Sequence, residues 1–272
     1  MKERKLIVNS NCYHGYSIED AIVGTRKAGF KNIELTATKG WTEHVFPTNS
    51  FSQLLRISHL LERNNLDVPS ISGHCNLMDR DRLADFKDNI ELGHFFGAGI
   101  IVSSVGEAHL KDNALSGDDE LIDNLFIYIL PVLEKCNMKL VLETHGEHGT
   151  ASRLEKIVSR LPRERFGICY DTANAIFYGD VKSDEDLLSA IDFIDYVHIK
   201  DKAGKRNEWD FPALGEGYVD FPLLLSDLDK ADNPAPLSLE IEFTQKGASN
   251  LREVDEAVEK SAIYLEKLGY TL

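Results

Sequence analysis

Two textures alternate along this chain. Short β-branched or aliphatic runs occur at 5–9, 32–35, 68–72, 99–103, 139–143, 166–171, 196–200 and 237–243. Between them lie longer stretches with apolar residues at helical spacing: 17–28, 51–63, 81–96, 119–136, 151–160, 183–193, 221–230 and 251–268. The stretch 51–63 shows the pattern well, with Leu54, Leu55, Ile57 and Leu61 on one stripe. Ser17 with Asp20 three residues later predicts an N-cap. Strict strand–helix alternation predicts a parallel sheet, and eight units is the number that closes a (β/α)8 barrel. An open doubly wound sheet would carry a Gly-rich phosphate turn after its first strand, and the segment from Asn9 to Gly15 is not one. No break in composition marks a second domain. Residues 1–272 therefore read as one α/β barrel domain. Its longest insert is the polar segment 201–218, a candidate substrate lid that holds Trp209 and three glycines.

Composition narrows the function. The chain is 43% hydrophobic and 28% charged, as in ordinary water-soluble proteins. Its net charge of −15 repels phosphate backbones and anionic lipid, which argues against nucleic acid and membrane partners. Cys12, Cys75, Cys136 and Cys169 are widely spaced, so neither a disulfide framework nor a zinc knuckle is indicated. The N-terminus lacks the apolar core of a signal peptide, and no apolar run reaches membrane-spanning length. The expected location is the cytoplasm.

The chemistry gathers at the ends of the last four runs, which finish in Glu143, Asp171, His198 and Glu240. In a parallel barrel the C-terminal strand ends meet on one rim. Three carboxylates and one imidazole there predict a divalent metal site. An oxygen-rich set favours Mn²⁺, Mg²⁺ or Co²⁺ over a thiolate-bound structural zinc. Strand parity puts His145 on the side of Glu143 and Lys200 on the side of His198. Parity does not separate Glu240 from Glu242. Glu240 is taken as the ligand because only apolar or small residues precede it in its run.

The segments Leu142–Gly146, Tyr170–Asn174, His198–Asp201, Leu214–Gly217 and Leu239–Glu242 resemble the xylose isomerase-like TIM-barrel superfamily. Within it they are similar to the sugar phosphate isomerase/epimerase type proteins. The resemblance spans nearly the whole chain. It implies one divalent ion, with Mn²⁺ placed first, held by Glu143, Asp171, His198 and Glu240. It also implies that Glu143 and Glu240 act as an acid/base pair on a small-molecule carbohydrate, and that the chain forms a homo-oligomer. Many family epimerases carry a His three residues after the metal Asp; this chain has Asn174, which hydrogen-bonds but carries no proton. His145 is then a candidate for the missing imidazole.

Isomerisation or epimerisation is the expected reaction. Elimination from a keto-sugar or 3-oxo-glycoside is the alternative, since both begin by removing a proton next to a carbonyl. Two further rivals are an endonuclease IV-like hydrolase and a non-catalytic sugar-binding barrel. The acidic charge and modest histidine set oppose the first, and the complete ligand set opposes the second. Expected substrate contacts are His74, Asn174, Lys200, Glu34 and Trp41. His74 and Glu34 end strands three and two, and Trp41 sits in an early rim loop with a face to stack on a sugar or cap the barrel.

Overall fold

A computed structural model of the chain describes residues 4–106 and 117–272. The domain reading of 1–272 also takes in residues 1–3 and 107–116, which lie outside the described residues. The strands are β1 Leu6–Asn9, β2 Asn32–Thr36, β3 Asp67–Ser72, β4 Ile100–Ser103, β5 Lys139–Glu143, β6 Phe166–Asp171, β7 Ile194–Ile199, β8 Asp210–Phe211, β9 Leu237–Leu239 and β10 Phe243–Thr244. Strands β1 to β7 and β9 form one closed barrel in chain order, and β9 pairs in parallel with β1. This is the TIM-barrel fold. Eight strands in parallel leave no edge unpaired and bring all their C-terminal ends to one rim.

Side chains alternate across each strand. The inward set makes a small apolar layer of Ile7, Val102, Val141, Cys169 and Tyr196. The outward set packs beneath the helices and forms the main core, in which Ile33, Leu35, Ile101, Leu140, Ile168 and Leu237 are fully buried. Several of the helices that cover the barrel start on side-chain caps. Ser17 and Asp20 form a reciprocal capping box ahead of α1, Ile18–Lys27, and Ser50 and Gln53 do the same ahead of α2, Phe51–Arg63. Each such cap contributes roughly 1 kcal/mol. Among the described residues, no helix is long and apolar enough to cross a membrane.

Three expectations need correction. The predicted eighth strand, 237–243, is two pieces: β9 stops at Leu239, and β10 pairs antiparallel with β8 outside the barrel. Phe243 has φ +57°, a left-handed turn that carries the chain away from the barrel wall. The helix expected over 119–136 contains a π turn at Leu125–Ile129, between the α-helical segments Asp118–Asn124 and Leu130–Cys136. Pro131 has no N–H to offer the carbonyl four residues back, so the ladder widens there. Finally, a short helix, Thr172–Phe177, follows β6 directly, where the pattern predicted none. It has too few turns to leave a periodic signature.

Candidate metal centre

At the end of β6, the carboxylate of Asp171 does two jobs. Its Oδ1 accepts the N–H groups of Ala173 (2.9 Å) and Asn174 (2.8 Å) and so caps the helix that follows. Its Oδ2 is buried and has no hydrogen-bond partner. A bulge between Ile168 and Cys169 sets Asp171 level with His198 on β7. One ligand atom from each of Glu143, Asp171, His198 and Glu240 lies within 4.8 Å of the other three, and all four residues are buried.

The remaining contacts orient this set. His198 Nδ1 sits 2.6 Å from Glu143 Oε1 and 3.7 Å from Glu240 Oε2. Its Nε2 faces the carboxylate of Glu34 at 3.2 Å. Glu34 is fully buried, also accepts the Tyr196 hydroxyl (2.6 Å), and does not line the recess above. The structure thus puts Glu34 beneath the site, against its expected place as a substrate contact. Glu240 Oε1 accepts from Asn11 Nδ2 at 2.9 Å and Asn9 Nδ2 at 3.3 Å. The Lys200 ammonium is 2.5 Å from Glu242 Oε2, 3.3 Å from Glu240 Oε2 and 3.7 Å from Asp171 Oδ2. Between the two candidates on the last barrel unit, Glu240 joins the ligand cluster and Glu242 pairs with Lys200.

These residues fit a divalent cation. Four buried carboxylates (Glu34, Glu143, Asp171 and Glu240) and the half-buried Glu242 surround a single lysine and a few imidazoles. Buried acid without matching positive charge is costly, and an Oδ2 that makes no hydrogen bond and lies near three other donor atoms is where a cation repays that cost. The electrostatics agree. Burial drives the carboxyl of Asp171 well above its ordinary range, with the Glu143 and Glu240 charges adding to the effect and Lys200 opposing it. Burial would also raise Glu143, but His74, His198 and His145 hold it below its ordinary range. Lys200 and His198 do the same for Glu240.

Above the cluster lies a narrow recess lined by Glu143, Glu240, His74, His145, Asn174 and Lys200, with Trp41 also on its wall. His74 Nδ1 accepts the Ser104 N–H at 3.1 Å, which leaves Nε2 toward Glu143 Oε2 at 3.8 Å. His145 packs on Tyr178 with ring centroids 4.7 Å apart. Asn174 Oδ1 lies 3.4 Å from the Lys200 ammonium. Trp41 stacks on His14 with centroids 4.4 Å apart, so one indole face is already used.

The pattern reading passed over Asn9 and Asn11. Amides at the end of a first strand carry no charge to notice. Barrel closure, which sets β1 beside β9, was the available signal.

The family model described as xylose isomerase-like TIM barrel matches residues 24–268. The chain belongs to this family. Among solved structures, the xylose isomerase-like barrel is similar to a D-psicose 3-epimerase in the presence of D-fructose, at 14% identity and TM-score 0.77, over 97% of this chain and 99% of that one. A xylose isomerase domain protein from Planctomyces limnophilus aligns at 18% identity and TM-score 0.74, over 98% and 97%. The probable 3-DHS dehydratase AsbF from Bacillus anthracis aligns at 16% identity and TM-score 0.70, over 96% and 98%. At such identities the likeness is one of fold. No curated protein matches the chain in sequence.

Proposed function

We propose that this protein is a divalent-metal-dependent isomerase or epimerase of a small sugar, sugar phosphate or keto-sugar. The observation that carries the reading is the convergence of Glu143, Asp171, His198 and Glu240, with a buried Asp171 Oδ2 that makes no hydrogen bond, beneath a polar recess. Those four residues would hold the ion, with Mn²⁺ ahead of Mg²⁺ and Co²⁺. When bound, it would supply Lewis acidity toward a carbonyl or hydroxyl oxygen and so favour loss of the neighbouring C–H proton.

The chain's own groups do the rest. Glu143 and Glu240 rise from β5 and from the end of β9, three barrel positions apart, and both line the recess. One, as carboxylate, takes the proton from carbon. The other, as acid, returns a proton, to the opposite face for epimerisation or to the neighbouring carbon for isomerisation. Asn9 and Asn11 fix the Glu240 carboxylate through Oε1 and leave Oε2 toward the recess cation Lys200. His74, Asn174 and Trp41 supply hydrogen bonds and a flat wall for the hydroxyls and C–H face of a sugar.

A second reading, elimination from a keto-sugar or 3-oxo-glycoside, has its own observation. His74 and His145 stand together on the recess wall with ring centroids 6.1 Å apart, placed to protonate a departing oxygen. Asn174 stands where many family epimerases have a histidine.

NMR of ketoses, sugar phosphates and 3-oxo-glycosides incubated in D₂O with the Mn²⁺-loaded protein separates the two readings. Deuterium next to the carbonyl with an epimer or isomer as product supports the first. A released group with an unsaturated product supports the second. No exchange with any member of the panel counts against both.

A further inference from the structure

A second, larger recess adjoins the first. It opens to solvent, holds about 550 Å³, and shares Asn11, Trp41 and Glu242 with the inner recess. The two differ in chemistry. The inner one is acidic and polar. The outer one is walled by the rings of His14, Trp41, Trp209 and Phe243, with Asn11, Thr244 and Gln245 at its polar edges.

The outer wall is braced. The buried Asp201 carboxylate accepts backbone N–H groups from Lys202, Gly215, Gly217 and Val219, which ties down both ends of the insert that carries Trp209. Trp209 packs edge-on against Phe211 (5.1 Å) and Phe177 (5.8 Å), and Phe211 pairs with Phe243 across the β8–β10 ribbon. A preformed wall binds without the cost of ordering a loop.

We infer that the outer recess is a binding site for a second sugar ring, so that the substrate is a glycosylated keto-sugar rather than a free monosaccharide. This rests on the carbohydrate reading of the inner recess. A pyranose has a C–H face that suits the aromatic walls and a hydroxyl edge that suits Thr244 and Gln245. A phosphate suits the site poorly. Among the described lining residues of both recesses the lysines are Lys200, held by Glu240 and Glu242, and the exposed Lys246. Burial also lowers the pKa of His14, which keeps that ring neutral.

Trp41 and Trp209 are the only tryptophans in the chain, and both line the outer recess, so its occupancy can be read from intrinsic fluorescence. The full-length protein, loaded with Mg²⁺ to avoid paramagnetic quenching, is titrated with D-fructose and with isomaltulose, a glucosyl-fructose with a free ketose. Isomaltulose is expected to change the emission and to bind about tenfold tighter, the size of one aromatic stacking contact. Trp209→Ala should remove that advantage and leave D-fructose binding unchanged. Gln245→Leu, which removes a hydroxyl partner at the exposed side without removing the braced wall or adding a fluorophore, should reduce it in part. Equal affinity for both sugars, or variants that weaken both alike, would overturn the second-ring site while deuterium exchange on D-fructose still upheld the inner one. Neither binding nor exchange with either sugar would overturn both.

Discussion

Strands β1 to β4 and strands β5, β6, β7 and β9 end on the same rim but end differently. The second group finishes in Glu143, Asp171, His198 and Glu240, whose ligand atoms converge. The first group presents Asn9, Glu34, Thr36 and Ser72, and Asn11 and His74 follow just beyond. Its single acid, Glu34, is turned down onto His198 and Tyr196. Its amides reach across the β1–β9 seam to hold Glu240. One half of the barrel would therefore supply the ligands and the other would aim them. A ligand set alone is not enough for such a site; the first half holds Glu240 and His198 in place.

The largest effect expected from breaking this division lies in the acid/base pair. Glu143→Gln and Glu240→Gln should each lower deuterium exchange by roughly 10²- to 10⁴-fold with the barrel still folded, read by NMR and circular dichroism. Retained exchange in both variants would remove their acid/base roles.

Each half also buries a histidine that titrates with folding. His44, in the loop after β2, and His148, in the loop after β5, are both pushed down to about 4, mainly by burial, with the Arg153 charge adding to it at His148. Between pH 4 and the ordinary histidine range near 6.5, the unfolded chain binds the extra proton and the folded chain does not. Stability should thus be lost as pH falls through that window and level off below it, by about 3 kcal/mol per histidine. Urea unfolding at stepped pH measures it, and His148→Gln should flatten the slope. An unchanged slope would show that other groups carry the acid sensitivity.

A smaller effect sharpens the division itself. Glu34→Gln keeps the shape of a side chain that touches His198 from below, and should weaken Mn²⁺ binding by roughly 10- to 100-fold in calorimetry. Unchanged affinity would mean that β2 has no part in the metal centre. The smallest expected change is in Asn11→Ala. It removes the amide's hydrogen bonds to Glu240 and Glu242, each about 1.5 to 3 kcal/mol before water replaces it, and should cost several-fold in turnover with little loss of metal. A variant that loses the metal outright would move Asn11 from orienting Glu240 to building the site.

The same asymmetry explains how much was legible in the chain. Charged residues closing apolar runs stand out, so Glu143, Asp171, His198 and Glu240 could be picked without a structure. Glu34 was visible for the same reason, but its direction was not: a buried acid facing a sugar and one facing a histidine have identical local sequence. Asn9 and Asn11 were invisible because an amide after a strand is common and uncharged. The broken eighth strand was hidden too. Leu237 to Phe243 alternates well enough for one strand, and only the positive φ at Phe243 and its pairing with Phe211 show the chain leaving the barrel.

The sequence by itself determined the alternation of eight strands and their covering helices, and with it the shared rim on which four charged ends must meet. It could do so because hydrophobic period and strand-end polarity are local properties of the chain. The tertiary structure alone decided which carboxylate meets the ligand cluster and which meets Lys200, which acid turns below the site, and how Trp41 and Trp209 come to wall one recess. Those choices depend on closure of the barrel, which sets residues more than two hundred positions apart within hydrogen-bonding distance.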